Sequence, residues 1–181
     1  MNRKQRHLTI HVGMRNLKTA LAATLCALPY YFIGRNPTFA CIGAIFGLGS
    51  DMEDSWRNGG NRLIGTIIGG FLGMGLYQLE HWIAPEGNYF LRLPLLFLGV
   101  IILVSLAVLF HWPGAVQPGG VVLCIILFNT PANHIGYALD RMLDTGIGVI
   151  MALLVNLLLP RQRLERWLRL NQRSQPDSAD S

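Results

Sequence analysis

Six apolar runs dominate this chain: Leu17 to Ile33, Pro37 to Gly49, Leu63 to Leu79, Leu93 to Phe110, Ala115 to Phe128 and Met142 to Leu159. Four of them approach the roughly 20 residues that carry a helix across a bilayer. The second and fifth are shorter, and Gly and Pro interrupt them: Pro37, Gly43 and Gly47 in one, Pro118, Gly119 and Gly120 in the other. In hydrocarbon a chain must satisfy its own backbone polar groups, so runs of this kind fold as helices. The expectation is an all-α integral membrane protein with six transmembrane helices. A composition of 51% hydrophobic and 14% charged residues agrees with it.

The charges are displaced to the ends. With the N-terminus cytoplasmic, 12 of the 15 Lys and Arg residues fall on the inner side, in the arm, the second loop and the tail. Only Arg35, Arg92 and Arg141 fall outside, a split that favours six spans with both termini cytoplasmic. The first run is followed by Pro29-Tyr-Tyr-Phe-Ile rather than a small-residue cleavage site, so it is expected to stay as a span. The expected organisation is a basic cytosolic arm (1–16), a first three-span half (17–80), an external loop (81–92), a second three-span half (93–160) and a basic tail (161–181). Leu164, Trp167 and Leu168 share one helical face of that tail, which predicts an amphipathic helix on the inner leaflet with a disordered end.

Several functions find no support. The net charge of +5 comes without an aromatic-basic stripe, so nucleic acid is not an expected partner. Cys26, Cys41 and Cys124 lie within apolar runs, and the five histidines are scattered, so neither a disulfide framework nor a metal site is predicted. Asp51, Glu53 and Asp54 follow no calcium-loop pattern and are expected to pair with Arg15, Lys18 or Arg57. No catalytic constellation or cofactor motif is present, so the chain reads as a non-enzyme without cofactors.

A sequence repeat organises the membrane part. Arg62, Thr66 and Gly69 recur 79 residues later as Arg141, Thr145 and Gly148. Three spans per half is an odd number, so a duplicated half enters the membrane with opposite orientation. That predicts two inverted three-helix repeats, an arrangement in which short, Gly/Pro-interrupted segments at matching positions mark the substrate site. Gly65, Gly69 and Gly73 form a small-residue stripe, and Gly148 repeats part of it, reading as helix-packing surfaces against the matching helix or a second subunit. Arg62 and Arg141 are expected at helix N-termini, where the backbone and a guanidinium fork together attract an anion. Asp144 is expected to pair with Arg141, with proton coupling as the alternative role. Asn156 is expected to bond another helix.

The stretches Gly13-Met-Arg15-Asn-Leu-Lys18-Thr19, Pro37-Thr-Phe-Ala40 and Arg62-Leu-Ile-Gly65-Thr66-Ile-Ile-Gly69 resemble the fusaric acid resistance and aromatic acid exporter superfamily, over about residues 12 to 160. The resemblance implies a six-span unit in a bacterial inner membrane that exports or conducts small organic, often aromatic, carboxylates, as a homodimer in contact with lipid. By motif it carries over Arg15, Lys18, Arg62, Thr66 and Gly69, with Arg141 and Thr145 following through the repeat. The second half departs from the pattern, because Asp144 stands where Gly65 would correspond. A non-transporting scaffold or accessory subunit assembled through the glycine faces is the alternative reading.

Overall fold

A computed structural model describes residues 14–129 and 134–159. The arm and the tail predicted at the two ends lie outside the described residues, apart from Met14 to Asn16. Six α-helices follow in order: α1 (Met14–Ile33), α2 (Thr38–Gly47), α3 (Met52–Ile83), α4 (Tyr89–Leu109), α5 (Val116–Phe128) and α6 (His134–Leu158), with a 3-10 turn at Pro113–Ala115 before α5. The described residues are all-α, as the apolar runs require.

Three of these helices, α3, α4 and α6, are long and apolar enough to cross a membrane. At 20 residues α1 has the length, with Arg15, Asn16 and Lys18 lowering its hydropathy. The two short members are shorter than the apolar runs suggested: α2 has 10 residues and α5 has 13, so they reach only about 15 and 20 Å at 1.5 Å per residue.

The largest difference from expectation is at α3. Ser50 to Asn61, polar and glycine-containing, reads as a loop, but the helix begins at Met52 and runs for 32 residues. Asp51 caps it, its side chain accepting a hydrogen bond from the Asp54 amide at 2.9 Å, and Glu53 and Asp54 occupy the positive first turn. Arg57 bridges to Asp54 at 3.2 Å, the local pairing anticipated for this acidic stretch. Gly59 and Gly60 survive mid-helix because Val149 and Trp112 pack against them.

Contacts between helices fix their directions. Lys18 meets Asn156 and Tyr30 meets Asp144, so α1 runs antiparallel to α6. Gly59 faces Val149 and Gly70 faces Met142, so α3 does the same. Gly43 lies on Thr145 and Gly148, and Gly47 on Val149 and Ala152, making α2 parallel to α6; Gly65, Gly69 and Gly73 lie on Ala115, Gly119 and Ile126, making α5 parallel to α3. Arg92 reaches Glu80 while Gly99 faces Leu76, so α4 returns against α3. Successive helices therefore alternate in direction.

The interior is made of small residues. On α3 the buried positions are Ser55, Gly59, Gly65, Thr66, Gly69, Gly70, Gly73, Leu76 and Glu80, while Trp56, Ile67, Phe71 and Trp82 face outward. On α4, Leu93, Phe97, Leu98, Ile101 and Val108 are exposed. Large apolar side chains outside and glycine within is the arrangement of helices packed in lipid, where close backbone approach replaces the hydrophobic drive.

The glycine stripe packs as expected on a different partner. A Cβ on Gly69 would overlap the carbonyl oxygen of Gly119, and one on Gly148 would overlap that of Ala40. The stripe of each long helix thus closes on a short helix, α3 on α5 and α6 on α2, rather than α3 on α6. The reason is steric: only a short helix rich in Gly, Ala and Pro brings its own backbone within reach of a glycine ridge. Both members of this pair of contacts differ by 79 residues, Gly69 from Gly148 and Ala40 from Gly119.

Polar clamps close the bundle at both ends. At one, the Lys18 amine donates to Asn156 Oδ1 at 3.0 Å, Asn156 Nδ2 donates to Ser55 Oγ at 2.8 Å, and the Gly49 amide donates to the same hydroxyl at 2.8 Å. This ties α1, α3 and α6 together, the interhelical role expected of Asn156. At the other end Arg92 Nε donates to Glu80 Oε1 at 2.7 Å in a nearly buried pair. Removing one partner of such a pair costs about 3–5 kcal/mol, because the other charge is left buried alone.

Candidate functional site

Arg62 does not sit at a helix N-terminus. It lies ten residues after Met52, and Arg141 lies seven after His134, so the unpaired amides of the first turn are out of reach of both. The sequence places them there only if the polar stretches before them are loops. The amides that begin α3 and α6 therefore take no part in an anion site at either arginine.

The two arginines have different surroundings. Arg62 lines an open cavity of about 400 Å³ together with Phe46, Asn58, Asn61, Gly114, Gln117, Pro118 and Val121. Among the described residues no carboxylate lines it. The guanidinium carbon stands 5.2 Å from the centre of the Phe46 ring, Nε is buried without a hydrogen-bond partner, and Arg62 makes no salt bridge among the described residues. A cavity with an unpaired guanidinium, three side-chain amides and an aromatic face is chemically complementary to a flat organic anion: the fork for a carboxylate, the amides for further oxygens, the ring for an apolar body.

Arg141 is enclosed instead. Its guanidinium carbon lies 3.2 Å from the centre of the Phe39 ring and 4.5 Å from that of Tyr137, and Nε and Nη1 are buried without hydrogen bonds. Asp144 does not pair with it. The buried Asp144 Oδ1 accepts from the Tyr30 hydroxyl at 2.8 Å and from Arg35 Nη2 at 3.2 Å, and Arg35 also bridges to Asp140 at 3.1 Å. The i, i+3 spacing allowed a local pair, but Arg141 is held between two rings while Asp144 faces α1 across 114 residues of sequence. An acid carrying both a guanidinium and a phenol is well satisfied for a buried charge.

The remaining candidates are dispersed. Thr66 is fully buried, its hydroxyl donating to the Arg62 carbonyl at 2.8 Å within its own helix, and Thr145 is buried against Gly43. Neither lines the Arg62 cavity. Lys18 belongs to the Asn156 clamp, and Arg15 is exposed on the first turn of α1. Gly65, Gly69, Gly73 and Gly148 hold helices together, and Gly65 seats Pro118 and Gly119 beside the cavity. Sequence reasoning named Arg62 as a candidate and did not name Phe46, Asn58, Asn61 or Gln117, which line the cavity with it. Asn58 carried a signal, since it precedes Arg62 by four residues and so shares its helical face.

Among the described residues no group of three or more His, Cys, Asp or Glu is placed to hold a metal ion. The fold and the cavity together define a helical membrane protein with a cationic, aromatic-lined site. A family model described as "Aromatic acid exporter family member 1" matches residues 10–159, and the chain belongs to that family. No curated protein and no solved structure matches significantly.

Proposed function

We propose that this protein moves small aromatic carboxylates across a bacterial inner membrane and that Arg62 is the residue that engages their negative charge. The observation that carries the reading is the unpaired Arg62 guanidinium in a cavity with Phe46, Asn58, Asn61 and Gln117 and without an acid. Family membership points to the same substrate class. In the proposed topology all six helices pass through the membrane as two inverted halves with both termini cytoplasmic. Three features support it: the alternation of helix direction, the glycine contacts spaced by 79 residues, and the 12 to 3 division of basic residues. The short helices α2 and α5 then pass through a locally thin region, with the polar Arg62 cavity reaching inward at one end. The expected homodimer rests on the family resemblance alone.

Transport can run on the membrane potential, which favours exit of an anion by about 2.3 kcal/mol per charge per 100 mV, or on a proton gradient. Family membership favours transport over the scaffold reading, and the glycine stripes close on α2 and α5 of the same chain. The deciding measurement is flux of benzoate, phthalate and succinate into proteoliposomes of the purified protein at pH 8, with and without a pH gradient. Saturable flux of the aromatic acids, lost in Arg62→Gln, supports the proposal; no flux of any of them overturns it.

A further inference from the structure

The surroundings of Arg62 and Arg141 correspond residue by residue at the spacing of the repeat, and the correspondence exposes a substitution of charge. Counting 79 residues on, Asn61 matches Asp140, Gly65 matches Asp144, Asn58 matches Tyr137 and Gly114 matches Arg35 from the opposite direction. The contacts follow the same rule. The Asn61 side chain packs against Gly114, while Asp140 bridges to Arg35 at 3.1 Å. Thus the loop before each short helix meets the helix of the other half one residue before its arginine. In one half that meeting is an amide on a glycine and leaves a cavity; in the other it is an ion pair.

From this we infer that Arg35, Asp140 and Asp144 form a built-in ionic plug at the Arg141 face, standing where a substrate carboxylate would bind if the two halves were alike. The inference rests on the reading of the Arg62 cavity as the anion site. Two carboxylates here compete with the anion for Arg35, and they flank Arg141 on α6, one residue before it and three after. Phe39 and Tyr137 cover the Arg141 guanidinium further. Among the described residues the Arg62 cavity has one ring and no acid. An anion therefore meets an uncompensated guanidinium in the Arg62 cavity and a compensated cluster beside Arg141. Asp140 and Asp144 are specificity-determining residues: they weaken binding on one face and so favour release there.

Such asymmetry cannot drive net flux. Without a coupled gradient the ratio of maximal rate to KM must be equal in both directions, so a high KM on the Arg141 face comes with a high maximal rate from that face. What the plug sets is affinity on each side, which matches a protein that collects a dilute anion on one face and must let it go on the other.

The test is zero-trans flux of radiolabelled phthalate at pH 8 in proteoliposomes whose orientation is read from protease protection of a C-terminal tag. KM on the Arg141 face is expected to exceed that on the Arg62 face by about tenfold, the effect of one uncompensated charge contact. The pair Asp140→Asn and Asp144→Asn should lower the Arg141-face KM toward the other value and leave the Arg62-face KM unchanged. Asp140→Asn alone, at a half-exposed side chain that the fold tolerates, should move it part of the way. Tyr30→Phe, which removes a hydrogen bond to Asp144 and keeps both charges, should leave it in place. Equal KM values on the two faces of the wild-type protein overturn the inference, as does an Arg141-face KM indifferent to the asparagines or equally lowered by Tyr30→Phe. Absence of phthalate flux in the wild type overturns the transport reading itself.

Discussion

The arginine of α3 and the arginine of α6 occupy equivalent places in the repeat and differ in almost everything around them. Arg62 faces amides, one aromatic ring and open space; Arg141 lies between two rings beside an acid pair held by Arg35. The frame is shared, since Gly69 meets Gly119 and Gly148 meets Ala40 at the same spacing. Glycine-to-backbone contacts recur at the spacing of the sequence repeat, and side-chain charge differs on top of them. Glycine against a carbonyl tolerates no change, whereas Asn61 and Asp140 at matching places are almost the same shape and differ by a full charge.

The sharpest way to break the comparison is to remove each arginine in turn. Arg62→Gln is expected to lower aromatic carboxylate flux about hundredfold at normal membrane levels, the loss of a charge-assisted, two-pronged contact in a site with no second cation. Arg141→Gln should cost less, since its guanidinium is already occupied by Phe39 and Tyr137. Initial rates of labelled benzoate uptake measure both. Equal losses would mean that the two faces bind alike and that the difference in surroundings is inert.

A test of the shared frame comes next. Gly69→Ala and Gly148→Ala each press a methyl group onto a backbone carbonyl of a neighbouring helix, which cannot swing aside as a side chain would. Overpacking of this kind costs about 1–3 kcal/mol, and the two losses should be equal within error in thermal or denaturant unfolding of the detergent-solubilised protein. Gly75→Ala, on the same helix with nothing within 4 Å, is the control and should stabilise by about 0.5–1 kcal/mol. A large difference between Gly69→Ala and Gly148→Ala would dissolve the equivalence on which the comparison stands.

The sequence showed this frame and concealed what fills it, for a physical reason. Arg62, Gly69 and their copies are legible because they repeat, and helical periodicity puts them on one face. The helical fold is legible because hydrocarbon leaves few alternatives. The start of α3 was written in Asp51, Glu53 and Asp54 as a cap and an acidic first turn, but Gly59 and Gly60 made the stretch read as a loop. The partners of Asp144 were not legible. Local spacing offers only Arg141 and Asp140, while Tyr30 and Arg35 arrive from α1 and the loop after it, brought there by packing of α1 and α2 on α6. The Glu80 and Arg92 pair was likewise hidden, because both residues read as the rims of an external loop.

The finest test places the charge of one half into the other. Asn61→Asp gives the Arg62 cavity the carboxylate that its counterpart carries as Asp140, at nearly constant volume. Gly114 stands at the position of Arg35 and offers the new acid no cation, so the acid's charge acts on Arg57, one turn back on the helix, and on Arg62, which lines the same cavity. The carboxylate then competes with substrate for the Arg62 guanidinium, and the KM of aromatic carboxylate flux on the Arg62 face is expected to rise several-fold, up to about tenfold. Stability should change by only about 0.5 kcal/mol, since Asn61 is only partly buried and the change keeps the volume that packs against Gly114. Thr66→Ala belongs beside it as the smallest effect. Its hydroxyl bonds only to the carbonyl of its own helix, so KM should not move. If Asn61→Asp leaves KM where Thr66→Ala leaves it, charge next to Arg62 does not govern anion affinity, and the contrast between the two arginines is one of packing alone.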